Sequence, residues 1–328
     1  MKFPSTRLRR LRYNSTLRNL VSENILSTND LIYPLFVCEG QNIKNEIKSM
    51  PGQYQLSIDM ILKKIQEAIF LGVKSFILFP ISSIKDSDGF VSTTKKNILY
   101  SATKAIKSKY NNIVLILDVC NCAFTKHGHC GTLINEDVDN DITLKNLALQ
   151  SVLLAKAGAD VIAPSDMMDG RIKVIRNELD ANGFSKVPII SYSAKFASSF
   201  YGPFREASDS SPKKGDRSTY QLNYKNSREA IREGETDLLE GADMLMIKPA
   251  MLYLDIISEF RKKFNIPIVA FNVSGEYSMI KLMSKNNLVN EISMILEVLT
   301  SIKRAGANII ITYHALELAK YINNQNEI

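Results

Sequence analysis

The chain has 328 residues, 45 % hydrophobic and 23 % charged, enough to bury one large core or two ordinary ones. No apolar run reaches the roughly eighteen residues of a membrane span, and the N-terminus lacks the apolar stretch of a secretory signal, so a soluble cytoplasmic protein is expected. The net charge of +7 and pI of about 9.0 would suit nucleic acid, but the lysines are scattered through Lys-, Asn- and Ile-rich segments such as 104–112, which argues against a localised basic stripe.

Residues 1–30 precede the first strand signal and mix Leu8, Leu11, Leu17 and Leu20 with a cluster of arginines from Arg7 to Arg12. They read as an N-terminal arm for subunit contacts; RNA binding through the arginines is the competing reading. From there, short apolar and β-branched runs at 31–37, 75–79, 113–119, 160–163, 188–192, 244–248, 267–273 and 308–312 predict eight strands. Helical periodicity fills the gaps at 58–71, 96–109, 144–157, 171–181, 227–240, 253–263, 290–304 and 314–322. Ala157-Gly-Ala-Asp160, Glu240-Gly-Ala-Asp243 and Ala305-Gly-Ala-Asn308 each end a helix on glycine and turn into a strand, a weak internal repeat. The expected architecture is an α/β protein, a single (β/α)8 TIM barrel over 31–328. A doubly wound sheet would want a glycine-rich phosphate turn after the first strand, and Val37-Cys-Glu-Gly-Gln41 supplies none.

Three of the four cysteines, Cys120, Cys122 and Cys130, follow the third strand within eleven residues. Thiolates that close together suggest one metal ion; three ligands with an open position would make it catalytic, whereas His127 or His129 as a fourth would make it structural. Plain burial of small side chains also remains open. Asp137-Val-Asp-Asn-Asp141 resembles a calcium loop but lacks its glycine and terminal glutamate, and reads as a turn into a helix capped near Thr143.

In a barrel, catalytic groups project from the C-terminal strand ends. That rule gathers Asp118, Ser165, Asp166, Lys195, Lys248, Ser274 and Tyr313 at one mouth. Lys248 ends the apolar run Met244-Leu-Met-Ile-Lys-Pro249, where burial and the neighbouring cation of Lys195 would depress its pKa and free a neutral amine for Schiff-base chemistry. A lysine reaching past the strand end to solvent is the bland alternative. Segment 197–220 is long, polar and broken by glycine and proline, as an active-site lid would be. Its Arg205 and Arg217 suit a substrate carboxylate, or simply solvent. His314 reads as structural.

Together, the Asp118-to-Gly131 segment, Ala163-Pro-Ser-Asp-Met-Met-Asp-Gly-Arg171, Ser193-Ala-Lys-Phe-Ala-Ser-Ser-Phe-Tyr-Gly-Pro-Phe-Arg205, Lys214-Gly-Asp-Arg217, Met246-Ile-Lys-Pro249 and Val273-Ser-Gly-Glu-Tyr277 resemble the zinc-dependent porphobilinogen synthase (5-aminolevulinic acid dehydratase) family over nearly the whole chain. The resemblance implies a barrel whose arm embraces a neighbour in a homo-octamer. It also implies a lyase that condenses two 5-aminolevulinate molecules to porphobilinogen for heme and other tetrapyrroles. By that resemblance Lys248 and Lys195 form Schiff bases on the propionate and acetate sides, and Asp118 manages protons beside Lys195. Ser274 and Tyr313 would hold one carboxylate, and Arg205, Arg217 and Gln221 the other. Cys120, Cys122 and Cys130 would bind the catalytic zinc, and Glu233 stands where bacterial members bind an allosteric magnesium. Gly234 in mid-helix and Asn272 in place of a common glutamine depart from the pattern. A Schiff-base aldolase with structural zinc and an RNA-binding zinc protein are the competing functions.

Overall fold

The β-branched runs form eight parallel strands, β1 Leu31–Cys38, β2 Ser75–Ile81, β3 Val114–Val119, β4 Val161–Pro164, β5 Ile190–Lys195, β6 Met244–Lys248, β7 Ile268–Asn272 and β8 Ile309–Thr312. In this computed structural model, which describes residues 2–326, each strand pairs with its sequence neighbour and β1 pairs with β8. The ring closes between β4 and β5 through an Ile162–Ile189 bridge, which makes a (β/α)8 barrel. Most strand residues are buried, as expected where one face fills the barrel and the other packs on helices.

The repeated Gly-Ala-Asp/Asn units have a common task. Gly158, Gly241 and Gly306 leave their helices at φ of 109°, 106° and 127°, which glycine adopts at little cost. The next polar residue stitches two strands: Asp160, Asp243 and Asn308 accept side-chain hydrogen bonds from the N–H groups of Leu115, Ile189 and Ile268 at 2.8, 2.8 and 3.0 Å. Their own N–H groups donate to the carbonyls of the same three residues at 3.0, 3.0 and 2.8 Å.

Several boundaries differ from expectation. The helix assigned to 144–157 starts at Asn140, because Asp139 accepts a bond from the Ile142 N–H at 2.9 Å; Thr143 lies inside it and is not its cap. A helix at Ser274–Lys285 was not expected, and it inserts before Glu291–Ala305. Its apolar residues at 277, 280 and 283 do carry the spacing, but its first turn opens on Ser274-Gly275-Glu276, with no apolar residue and a glycine that disfavours helix. Short antiparallel pairs at 44–46 with 54–56 and 133–134 with 137–138 were likewise missed. The 197–220 segment is partly ordered as helix, with a turn of 3-10 helix at Ser199–Tyr201 and an α-helix at Gly202–Ala207. Residue 1 of the arm and residues 327–328 of the barrel segment lie outside the described residues. The arm itself holds Leu8–Arg12 and Ser15–Leu20 as short helices, with Leu8, Leu11 and Leu20 exposed.

Candidate active site

Two lysines emerge side by side at the barrel mouth because of a one-residue irregularity. The β5–β6 register runs Met244 to Ile190 and Leu245 to Ser191, then slips, so that Ile247 faces Ala194 and Lys248 faces Lys195. Without the slip Lys248 would stand opposite Ala194, and the two side chains would leave the sheet on opposite faces. Both lysines are buried. Burial, with the Lys195 charge second, lowers the Lys248 amine to about 7. Its Nζ lies 4.1 Å from the centre of the Phe271 ring.

Asp118, in β3, faces the same space. Burial raises its carboxyl to about 6, although a hydrogen bond with Ser165 and the charges of Lys195 and Lys248 pull the other way. Lys195 Nζ donates to the Ser165 carbonyl. Ser165 thus touches both groups. Strand-end position and the Ala163-to-Arg171 segment singled it out, but neither gave it a role.

The Sγ atoms of Cys120, Cys122 and Cys130 lie within 4.8 Å of one another, all buried. Hydrogen bonds from Cys120 and then Cys122 hold the Cys130 thiol well below its usual range, so the trio gathers negative charge on one sulfur. This soft, partly ionised donor set fits zinc. Both histidines are otherwise engaged. His129 contacts the Tyr220 hydroxyl at 3.1 Å and the Lys214 carbonyl at 2.9 Å, while His127 contacts the Ser87 carbonyl at 2.9 Å and accepts from the His129 N–H at 3.1 Å. Cys122 also lines the lysine cavity, so an ion on the trio would face the amines. A second group, Glu291, His314 and Glu317, is already bridged by the Lys281 ammonium at 2.5 and 2.8 Å to the two carboxylates.

Segment 197–220 lies over this space. Asp118, Cys122, Ser165, Lys195, Lys248, Arg205 and Arg217 surround a cavity of about 20 Å³, room for a single water. Arg217 Nη2 donates to the carbonyls of Gly128 and Ser210 at 2.8 and 2.7 Å, which ties this segment to the cysteine loop. Ser274 is not free: its hydroxyl donates to the Phe200 carbonyl at 3.2 Å and accepts from the Phe204 N–H at 3.0 Å. The Tyr313 hydroxyl is buried without a partner, its ring stacked on Phe36 at 6.0 Å. Gln221, whose amide is likewise unpartnered, lines a separate cavity of about 710 Å³.

That larger cavity also receives Glu233, together with Asp169, Asp237 and Arg171. Burial raises the Glu233 carboxyl to about 7, with Arg171 opposing and Asp237 and Asp169 adding to the rise. Gly234 has a packing reason: a Cβ there would meet ring carbons of Phe260 and Phe264 at 2.9 Å. Asn272 bridges two elements, donating to Glu276 at 2.9 Å and accepting from Thr312 Oγ1 at 2.9 Å.

The family model described as delta-aminolevulinic acid dehydratase matches residues 5–321. A delta-aminolevulinic acid dehydratase of Synechocystis sp. is 50 % identical over 326 residues, covering 98 % of this chain and all of the relative. The Helicobacter pylori enzyme of the same name is 50 % identical over 317 residues, 96 % of this chain and 98 % of the relative. A crystal structure of the Toxoplasma gondii delta-aminolevulinic acid dehydratase, in complex with its reaction product porphobilinogen, superposes with a TM-score of 0.94 at 44 % identity, covering 96 % of this chain and 91 % of that one.

Proposed function

The chain belongs to the delta-aminolevulinic acid dehydratase family, and from that premise we propose how its own residues divide the labour of the reaction. It is a lyase of tetrapyrrole synthesis that joins two 5-aminolevulinate molecules into porphobilinogen with loss of two waters. The observation that carries the assignment is the register pairing of two buried lysines beside three clustered thiols.

Lys248 is the first nucleophile. An amine lowered to about 7 is substantially neutral at physiological pH and can attack the ketone of one substrate, on the propionate side. Lys195 does the same on the acetate side. Asp118, with a carboxyl near 6, exchanges protons with the carbons made acidic by the imines. Cys120, Cys122 and Cys130 hold a zinc ion, which supplies Lewis-acid polarisation of a substrate oxygen or amine. Arg205 and Arg217, beside the lysines, receive one carboxylate, with Gln221 turning in from the larger cavity to join them, and Ser274 and Tyr313 receive the other. Because Ser274 bonds the lid in the closed form, its carboxylate must enter with the lid displaced.

Glu233 holds an allosteric magnesium; support comes from its half-buried, acid-flanked carboxyl, whose raised pKa a divalent ion would reverse. The arm joins copies of the chain into an octamer. Among the described residues no helix is long and apolar enough to cross a membrane, and we place the enzyme in the cytoplasm.

The test is porphobilinogen formation from 5-aminolevulinate, with and without a chelator. Turnover should vanish on chelation and return with zinc, while far-UV circular dichroism stays unchanged, and lead, which favours thiolates, should inhibit. Unfolding on chelation would make the metal structural, and a zinc-replete protein that makes no porphobilinogen would overturn the function.

A further inference from the structure

Lys248 Nζ sits among five aromatic rings. Their centres lie 4.1 Å away for Phe271, 5.1 Å for Tyr192, 5.1 Å for Phe204, 5.4 Å for Tyr201 and 5.8 Å for Phe79. Three rings, Phe79, Tyr192 and Phe271, belong to barrel strands β2, β5 and β7, and two to the lid. Simple packing would bury a lysine among aliphatic groups equally well. A cage of π faces differs in that it attracts a positive charge at its centre.

We propose that this cage is a charge-selective part of the catalytic machinery, which stabilises the protonated imine on Lys248 and couples its formation to closure of the lid. The inference rests on Lys248 being the Schiff-base lysine. When a neutral Lys248 amine adds to the substrate ketone, a C–N bond forms and the carbonyl oxygen leaves as water. One proton is taken up from a neighbouring acid or solvent, and the nitrogen remains as a fixed cation. Without the rings, the desolvation that frees the amine for attack would equally oppose the cation that the attack creates. The ring faces offset part of that cost; they attract the ammonium as well, but more weakly than a carboxylate would, so burial can still leave the amine neutral before substrate arrives.

The lid geometry supplies the coupling. Tyr201 donates its hydroxyl to the Lys248 carbonyl at 2.9 Å, which fixes that ring beside the amine. Phe204 packs edge-on against Phe79 at 5.0 Å and beside Phe36 at 5.5 Å, so it enters the cage only when Gly202–Ala207 is seated. An open lid removes two of the five faces. The imine cation therefore favours the closed lid, and the closed lid favours the imine by the same factor.

Phe204→Leu keeps an apolar side chain but removes one π face. At fixed, subsaturating 5-aminolevulinate, borohydride should trap about three- to tenfold less substrate on Lys248 than in the parent. Substrate should also protect residues 208–216 from proteolysis less than in the parent. Phe204→Tyr restores a ring and should recover both readouts, which separates charge stabilisation from a folding defect. Equal trapping and equal protection in Phe204→Leu would overturn the cage. A parent adduct that maps away from Lys248 would instead overturn the assignment of the lysine on which the cage rests.

Discussion

At the scale of single residues, the chemistry depends on an amine that is neutral enough to attack and an acid that is neutral enough to give a proton. Lys248→Arg keeps a cation but removes the accessible neutral amine, so it should eliminate porphobilinogen and the borohydride-trapped adduct at position 248. Lys195→Arg should stop turnover too, yet leave an adduct on Lys248, because the two imines form with different substrate molecules. Peptide mapping after reduction checks both, and a Lys248→Arg protein that still makes the pyrrole contradicts the assignment. The pH dependence has a definite sign. With the amine lowered to about 7, its neutral fraction falls tenfold per pH unit below that value, so kcat/KM should decline on the acid side of about pH 7 and level off above it. An acid limb displaced upward to near 10 would show an amine that burial does not reach.

At the scale of elements, local preference and packing disagree at Gly234. Helix propensity favours alanine there by about 1 kcal/mol. The neighbouring helix Leu254–Lys263 brings Phe260, and the residue after it Phe264, to 2.9 Å from where the Cβ would stand, closer than real Cβ contacts come. Forcing apart such a contact costs typically 1–3 kcal/mol. Gly234→Ala should therefore lower the denaturation midpoint, despite the better helix former, by up to about 2 kcal/mol of stability. A raised midpoint would mean that the rings yield freely. The strand stitches at Asp160, Asp243 and Asn308 show the opposite case, where a local repeat in sequence corresponds to a repeated contact between neighbouring strands.

At the scale of the whole molecule, the arm has apolar residues and no barrel strand to serve. Leu8, Leu11 and Leu20 are 72, 55 and 79 % exposed, a density of uncovered leucine that a second copy of the chain would bury. Deleting residues 2–30 should shrink the particle measured by light scattering after size exclusion, and an unchanged mass would exclude the arm from assembly.

How much of this was legible in the sequence depends on the range of the interaction involved. Strand runs, helix periods and glycine stops are written in neighbours a few residues apart, so the alternation that defines the barrel, and the strand ends where Asp118, Lys195 and Lys248 lie, could be read directly. The cysteine spacing was legible for the same reason, since three thiols within eleven residues converge through one loop. The helix at Ser274–Lys285 was hidden because its first turn, Ser274-Gly275-Glu276, is polar and carries a glycine, so the apolar spacing begins only at Tyr277. Ser274 and Gln221 show a further limit: Phe200 and Phe204 cover one and the other opens onto a different cavity, arrangements made by residues far away in sequence. Only the tertiary structure decided the β5–β6 register slip that sets the two lysines on one face, the five rings around one of them, and the close helix approach at Gly234. Each is a contact between segments whose separation in the chain carries no local signal. The sequence by itself determined which elements form and where their polar ends lie; packing between distant elements determined which of those ends meet.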